Sequence, residues 1–153
     1  MPTTIRRAAV PLIAALAGFA PGIAFAALGG DVASVLRDND ALGATHGVST
    51  FVAYDRHESV TPDGVRVRQY VDRAGSVFAV VWSGPRSPSV AALLGSHAAH
   101  YQEALRTRAG NHHVATLIEP GLEVSVVKLP RGWSGGALLP AAIPAGVRRS
   151  DLR

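Results

Sequence analysis

No cysteine occurs among the 153 residues. That excludes disulfides, thiolate metal sites, a cysteine nucleophile and a lipid-modified N-terminal cysteine. Lysine is nearly as scarce, with Lys128 alone against fourteen arginines. No run of Lys and Arg forms a basic patch, so the sequence pI of 10.3 points to no nucleic-acid partner. Charge of either sign is missing altogether between Arg7 and Asp31.

That uncharged stretch is the first thing present to be read. Arg6 and Arg7 precede an apolar run, Ala8 to Phe19. The breakers Pro21 and Gly22 follow, and then Ala24-Phe25-Ala26. Positive, apolar, small-x-small is the order of a cleaved signal peptide. The alternative is an uncleaved anchor, since the stretch is just long enough to cross a bilayer. Pro11, Gly18, Pro21, Gly22 and the alanine-rich composition oppose it. The expectation is a signal peptide over residues 1–26, the general secretory route, and a periplasmic or secreted protein with no stable membrane span after cleavage. Residues 27–153 then form one domain. They carry a net charge of +2 and, without disulfides, depend on packing alone.

Asp31 is suited to N-cap a short helix over about Val32–Ala41, with Val32, Val35 and Leu36 on one face, ended by Gly43 and Gly47. Three strands are predicted next: Thr50–Val60, Val65–Asp72 and Ser76–Ser83. The turns Pro62-Asp63-Gly64 and Asp72-Arg73-Ala74-Gly75 separate them. In the third strand Val77, Ala79 and Val81 alternate with Phe78, Val80 and Trp82, so it should be central and covered on both faces. After the break Gly84–Pro88, Ser89 opens a helix to about Arg108, with Val90, Leu94, His97, Tyr101 and Leu105 on one stripe. His113–Ile118 and Leu122–Leu129 are two further strands, and an irregular strap runs from Pro130. The fold class predicted is α+β, with one helix-covered face on an antiparallel sheet of about five strands: a three-stranded meander, a long helix and a two-stranded hairpin.

The segments Ala27-Leu28-Gly29-Gly30, Ser34-Val35 and Tyr70-Val71 are joined by the run from Gly75-Ser76-Val77 through Val81-Trp82-Ser83-Gly84-Pro85. Leu93-Leu94-Gly95, Leu139-Pro140 and Pro144-Ala145-Gly146-Val147 complete the series. In that order and spacing they resemble the proteobacterial exported proteins catalogued as domain of unknown function 2844, over nearly all of the chain beyond the leader. The resemblance implies an exported bacterial protein and carries over no catalytic residue.

Gly132-Trp133-Ser134-Gly135-Gly136 matches the G-x-S-x-G pattern of serine hydrolases, which needs a strand-to-helix turn and an acid and a histidine further on. Two prolines break up Ala137–Pro144, and no histidine follows, so the favoured reading is a glycine-rich turn with a packed Trp133. His97 and His100, three apart on the helix, share a face and with His112 or His113 would approach a metal shell. No carboxylate lies near in sequence, and His97 falls within the apolar stripe, as a core histidine would. Asp55 and Glu58 are expected on opposite faces of their strand, so no carboxylate pair is formed. No catalytic residue, metal ligand or cofactor is assigned.

Arg56, Arg66 and Arg68 are placed on one sheet face with Tyr54 and Tyr70. The three-residue loop Pro62-Asp63-Gly64 fixes the register: Val60 faces Arg66, Glu58 faces Arg68, and Arg56 faces Tyr70. Glu58 should then neutralise Arg68, Arg56 should stack on Tyr70, and Arg66 should remain the free cation. The functional expectation is a non-enzymatic binding or accessory protein of the bacterial cell envelope. Its binding residues would be Arg56, Arg66, Arg68 and Tyr70, and its partner an anionic envelope component. The alternatives are a small hydrolase or metal-dependent enzyme using Ser134 or the histidines, and a homodimer or assembly subunit burying Phe78, Val80 and Trp82.

Overall fold

The computed structural model describes residues 27–107 and 114–153. Residues 1–26, with the predicted signal peptide, lie outside them, as do His112 and His113. Helix α1 spans Val32–Leu42. The Asp31 carboxylate accepts from the Ser34 amide at 2.8 Å, and Gly43 closes the far end in the left-handed conformation. Seven antiparallel strands follow: β1 (Thr45–Thr50), β2 (Tyr54–Val60), β3 (Arg66–Asp72), β4 (Val77–Gly84), β5 (Val114–Glu119), β6 (Leu122–Leu129) and β7 (Gly132–Leu138). They form one sheet in the order β1-β2-β3-β4-β7-β6-β5. Between β4 and β5 lie α2 (Val90–Leu94), a 3-10 turn (Gly95–His97) and α3 (Ala98–Thr107).

The α+β class and the antiparallel sheet are as expected, but the sheet has seven strands rather than five. One addition is β1, which precedes the predicted strand Thr50–Val60, and that strand begins only at Tyr54. The chain turns at Phe51-Val52-Ala53, and β1 pairs back on β2. The other addition is β7, where an irregular strap was expected. Its glycines are strand residues. Gly135 lies against the Trp82 indole, where a β-carbon would come within 2.4 Å of the ring. A side chain at 135 would therefore displace the largest fully buried residue of the core. Pairing with β4 and β6 on either side supplies the backbone hydrogen bonds that such a strand needs.

Strand β4 is central, as predicted. The alternation along it is interrupted, however. Tyr70 pairs with Ala79 while Val71 pairs with Val77, which leaves Phe78 as a bulge. Phe78 therefore joins Ala79 on one face, while Val77, Val80 and Trp82 enter the core on the other. Phe78, Val80 and Trp82 are all fully buried within the chain and form no surface for a second subunit.

The predicted helix from Ser89 to Arg108 is broken at Gly95, where φ is +53° and a β-carbon would stand 2.2 Å from that of Ala27. The chain start crosses the helix there, and the Leu28 amide donates to the Leu93 carbonyl at 2.8 Å. Past the break the stripe rotates: Leu93, Leu94 and Tyr101 are buried, His97 is half-buried, and Leu105 is exposed. These helices, with Leu28 and Val35, cover one sheet face. The segment after β7 covers the other, where Ala142, Ile143, Val147 and Leu152 pack on Tyr54, Tyr70, Phe78 and Ala79.

Candidate functional site

The β2–β3 register is the expected one: Val60 opposite Arg66, Glu58 opposite Arg68, Arg56 opposite Tyr70. Its cause is the three-residue loop. The Gly64 amide reaches the Thr61 carbonyl at 2.9 Å, and Gly64 adopts φ +83°. The arginines therefore share the sheet face turned away from the helices. Asp55 and Glu58 lie on opposite faces, also as expected.

The side chains depart from expectation. Glu58 accepts from both Arg68, at 2.6 Å, and Arg66. Hydrogen bonding from Arg68 holds the Glu58 carboxyl below the usual carboxylate range. The charges of Arg68 and Arg66 add to this, against a smaller cost of burial. Arg66 is thus not the free cation. Tyr70 is no binding residue either, because it is fully buried and its hydroxyl donates to the Arg153 carbonyl at 2.7 Å. Burial raises its pKa.

The group left over is Arg56. Its guanidinium stands over the Phe51 ring, 5.5 Å from the centroid, rather than over Tyr70. No carboxylate among the described residues pairs with it. Nη2 donates to Ser49 Oγ at 3.4 Å, and Nε is shielded from solvent and has no partner among the described residues. Arg56 lines a cleft of about 560 Å³ between the Phe51–Tyr54 turn and the C-terminal residues Ala145, Gly146, Val147 and Asp151. Phe51 and Tyr54 stack along one wall at 4.7 Å, and Val52 is almost wholly exposed at the rim. A second cleft, of about 370 Å³, lies along the same face between Val81, Gly136, Ile118 and Leu152, with the Arg149–Glu123 ion pair at its border.

The other sequence candidates are dispersed. Ser134 sits inside β7, opposite Ser83 and Val127, and not at a strand-to-helix turn. His100 bonds Glu119 at 2.5 Å, while His97 points toward Gly29, on the helix side. No three His, Asp or Glu side chains converge on a common point among the described residues.

What sequence reasoning missed is the pair His46 and His57. Once β1 is recognised, it folds back so that the two ring nitrogens face each other at 3.1 Å. Polar residues at His46, Gly47 and Ser49 alternating with little else apolar than Val48 gave no strand signal, and the turn at Phe51-Val52-Ala53 contains none of the usual turn residues.

The fold and these clefts define a class: an α+β protein with a single antiparallel sheet, one face covered by helices and the arginine-bearing face covered in part by the C-terminal segment. The model of the family described as "Protein of unknown function (DUF2844)" matches residues 24–152, and the chain belongs to that family. No curated protein and no solved structure matches it.

Proposed function

We propose that this is an exported, non-enzymatic binding protein of the bacterial cell envelope, and that it takes an anionic group of its partner at Arg56. The observation that carries this reading is the half-buried Arg56 guanidinium, paired with no carboxylate among the described residues, on a cleft lined by Phe51, Tyr54 and Val147 and by Asp151, which pairs with Arg148. A charge-assisted hydrogen bond from the guanidinium to a ligand oxygen is worth about 1.5–3 kcal/mol. The cleft walls suit a ligand with an apolar or ring-shaped body beside its acid group. Support for export comes from the order of charge, apolar run and small residues up to Ala26, which also suggests an N-terminus at Ala27 in the processed protein.

The test is retention of the exported protein on an envelope extract and on acidic envelope polysaccharide. Arg56→Gln should weaken retention at least about tenfold, the scale of one charge-assisted hydrogen bond. Arg66→Gln should leave it within about twofold, since that arginine is already partnered by Glu58. Equal effects of the two substitutions would retire the Arg56 reading. An intact mass that begins at Met1 would retire the export reading separately.

A second reading, assembly of two copies, is favoured by edge strand β5, where Ile118 is 68% and Val114 50% exposed. A monomer mass in solution that is unchanged by Ile118→Lys would dismiss it.

A further inference from the structure

On the helix-side face, away from the Arg56 cleft, His46 Nε2 and His57 Nδ1 stand 3.1 Å apart. Zinc–imidazole bonds of about 2.0–2.1 Å at a tetrahedral angle place two ligand nitrogens about 3.4 Å apart. The observed separation is thus close to that of a chelating pair. The surroundings add oxygen atoms that have no hydrogen-bond partner among the described residues. Ser59 is opposite His46 in the register and two residues beyond His57 on the same face. Its hydroxyl is buried and without a partner. Asp55, two residues before His57, likewise has a shielded Oδ1 without a partner, while its Oδ2 accepts from Arg73 at 3.0 Å.

His57 is buried, and burial first, then the neighbouring His46, lower its pKa against the opposing pull of Asp55. His46 sits exposed on the edge strand, which gives an ion and its remaining waters a direct way in.

We propose that His46 and His57 bind a borderline divalent transition-metal ion of the Zn²⁺ and Cu²⁺ class, its shell completed by water and the Ser59 hydroxyl. Imidazole nitrogen is the donor such ions prefer over Mg²⁺ or Ca²⁺. For both facing nitrogens to coordinate, the ring that donates the present hydrogen bond takes its other tautomer, moving its proton to the far nitrogen. No net proton is released when both rings start neutral. The exposed His46 ring turns slightly so that both lone pairs meet the ion.

The experiment uses the full chain, stripped with a chelator and titrated with Zn²⁺ at pH 7.5, following heat and the histidine ring NMR signals. One equivalent should bind, shifting the His46 and His57 signals. His46→Gln and His57→Gln should each weaken binding at least about tenfold, and His100→Gln should change it less than about twofold. Lowering the pH from 7.5 to 5.5 should weaken binding, because protons compete with the ion for imidazole nitrogen. Absence of binding, or equal binding by the wild type and His46→Gln, overturns the proposal. His46 is on an exposed edge, so that variant decides even if His57→Gln does not fold.

Discussion

Arg73 reaches from the β3–β4 turn to the backbone of Val52, its Nε donating to the Val52 carbonyl at 3.2 Å. The same guanidinium bonds the carbonyls of Phe51 and Tyr54 and the Asp55 carboxylate. The turn joining β1 to β2 is thus held by a side chain some twenty residues further along the chain. Arg73→Ala should cost about 1–2 kcal/mol, the scale of charge-assisted hydrogen bonds on a partly exposed group. The loss should be local. Amide exchange should accelerate in β1 and at Phe51, whose N–H bonds Tyr54, while β4 and β7 keep their protection. Uniform acceleration across the sheet would contradict this role.

That dependence also explains why β1 was illegible in the sequence. Turns that carry their own signal were read correctly. Gly64 and Gly75 both adopt positive φ, and the β2–β3 register expected from the Pro62-Asp63-Gly64 loop is the one observed. The Phe51-Val52-Ala53 turn has no such residue, because Arg73 imposes it from a distance. β7 was hidden for the opposite reason. Its glycines look like loop, and only the bulk of Trp82 on the neighbouring strand makes Gly135 the residue that fits a strand. For the site, the backbone placement of Arg56, Glu58, Arg66 and Arg68 was legible from period-two alternation. Which arginine Glu58 would satisfy was not, since one carboxylate can accept from two guanidiniums.

Gly135 and Gly136 offer a matched pair for testing the packing of β7. A β-carbon at 135 meets Trp82 at 2.4 Å and the Ser125 carbonyl at 2.8 Å, whereas one at 136 meets nothing closer than 3.5 Å. Gly135→Ala should lower stability by about 1–3 kcal/mol through overpacking. Gly136→Ala should be neutral or slightly stabilising, as the unfolded chain loses freedom. Urea midpoints and the near-ultraviolet signal of Trp82 would measure both. Equal losses in the two variants would count against close approach as the cause.

His57 makes stability depend on pH in a defined direction. Its pKa is lowered in the folded protein, so below about 6.5 the unfolded chain binds the proton first. Stability should therefore fall as pH drops through 6.5 and level off once the folded form is also protonated. His57→Gln should remove this part of the acid limb. Glu58 acts in a lower window. Its depressed pKa contributes stability above the ordinary glutamate range, and this is lost as the pH falls toward the folded value. Thermal melts of the wild type, His57→Gln and Glu58→Gln between pH 7.5 and 3 would separate the two windows. A His57→Gln profile parallel to the wild type above pH 5 would remove His57 as the cause.

The start of the described chain is built into the core through Gly95. Leu28 is 1% exposed, and its amide bonds Leu93 across the break between α2 and α3. Gly95 permits this twice, by its positive φ and by leaving room for Ala27. Leu28→Ala should cost about 2–5 kcal/mol, as buried leucine truncations do. Gly95→Ala faces both backbone strain and a β-carbon only 2.2 Å from that of Ala27, and the easiest relief is to expel the Ala27–Leu28 segment. The two substitutions should then remove the same packing. Their combination should cost little more than Gly95→Ala alone, because a leucine already expelled has nothing left to lose. Proteolysis near residue 30 should also begin in Gly95→Ala under conditions where the wild type resists. Additive losses in the double variant would mean that the segment stays docked and that the strain is absorbed in the helix.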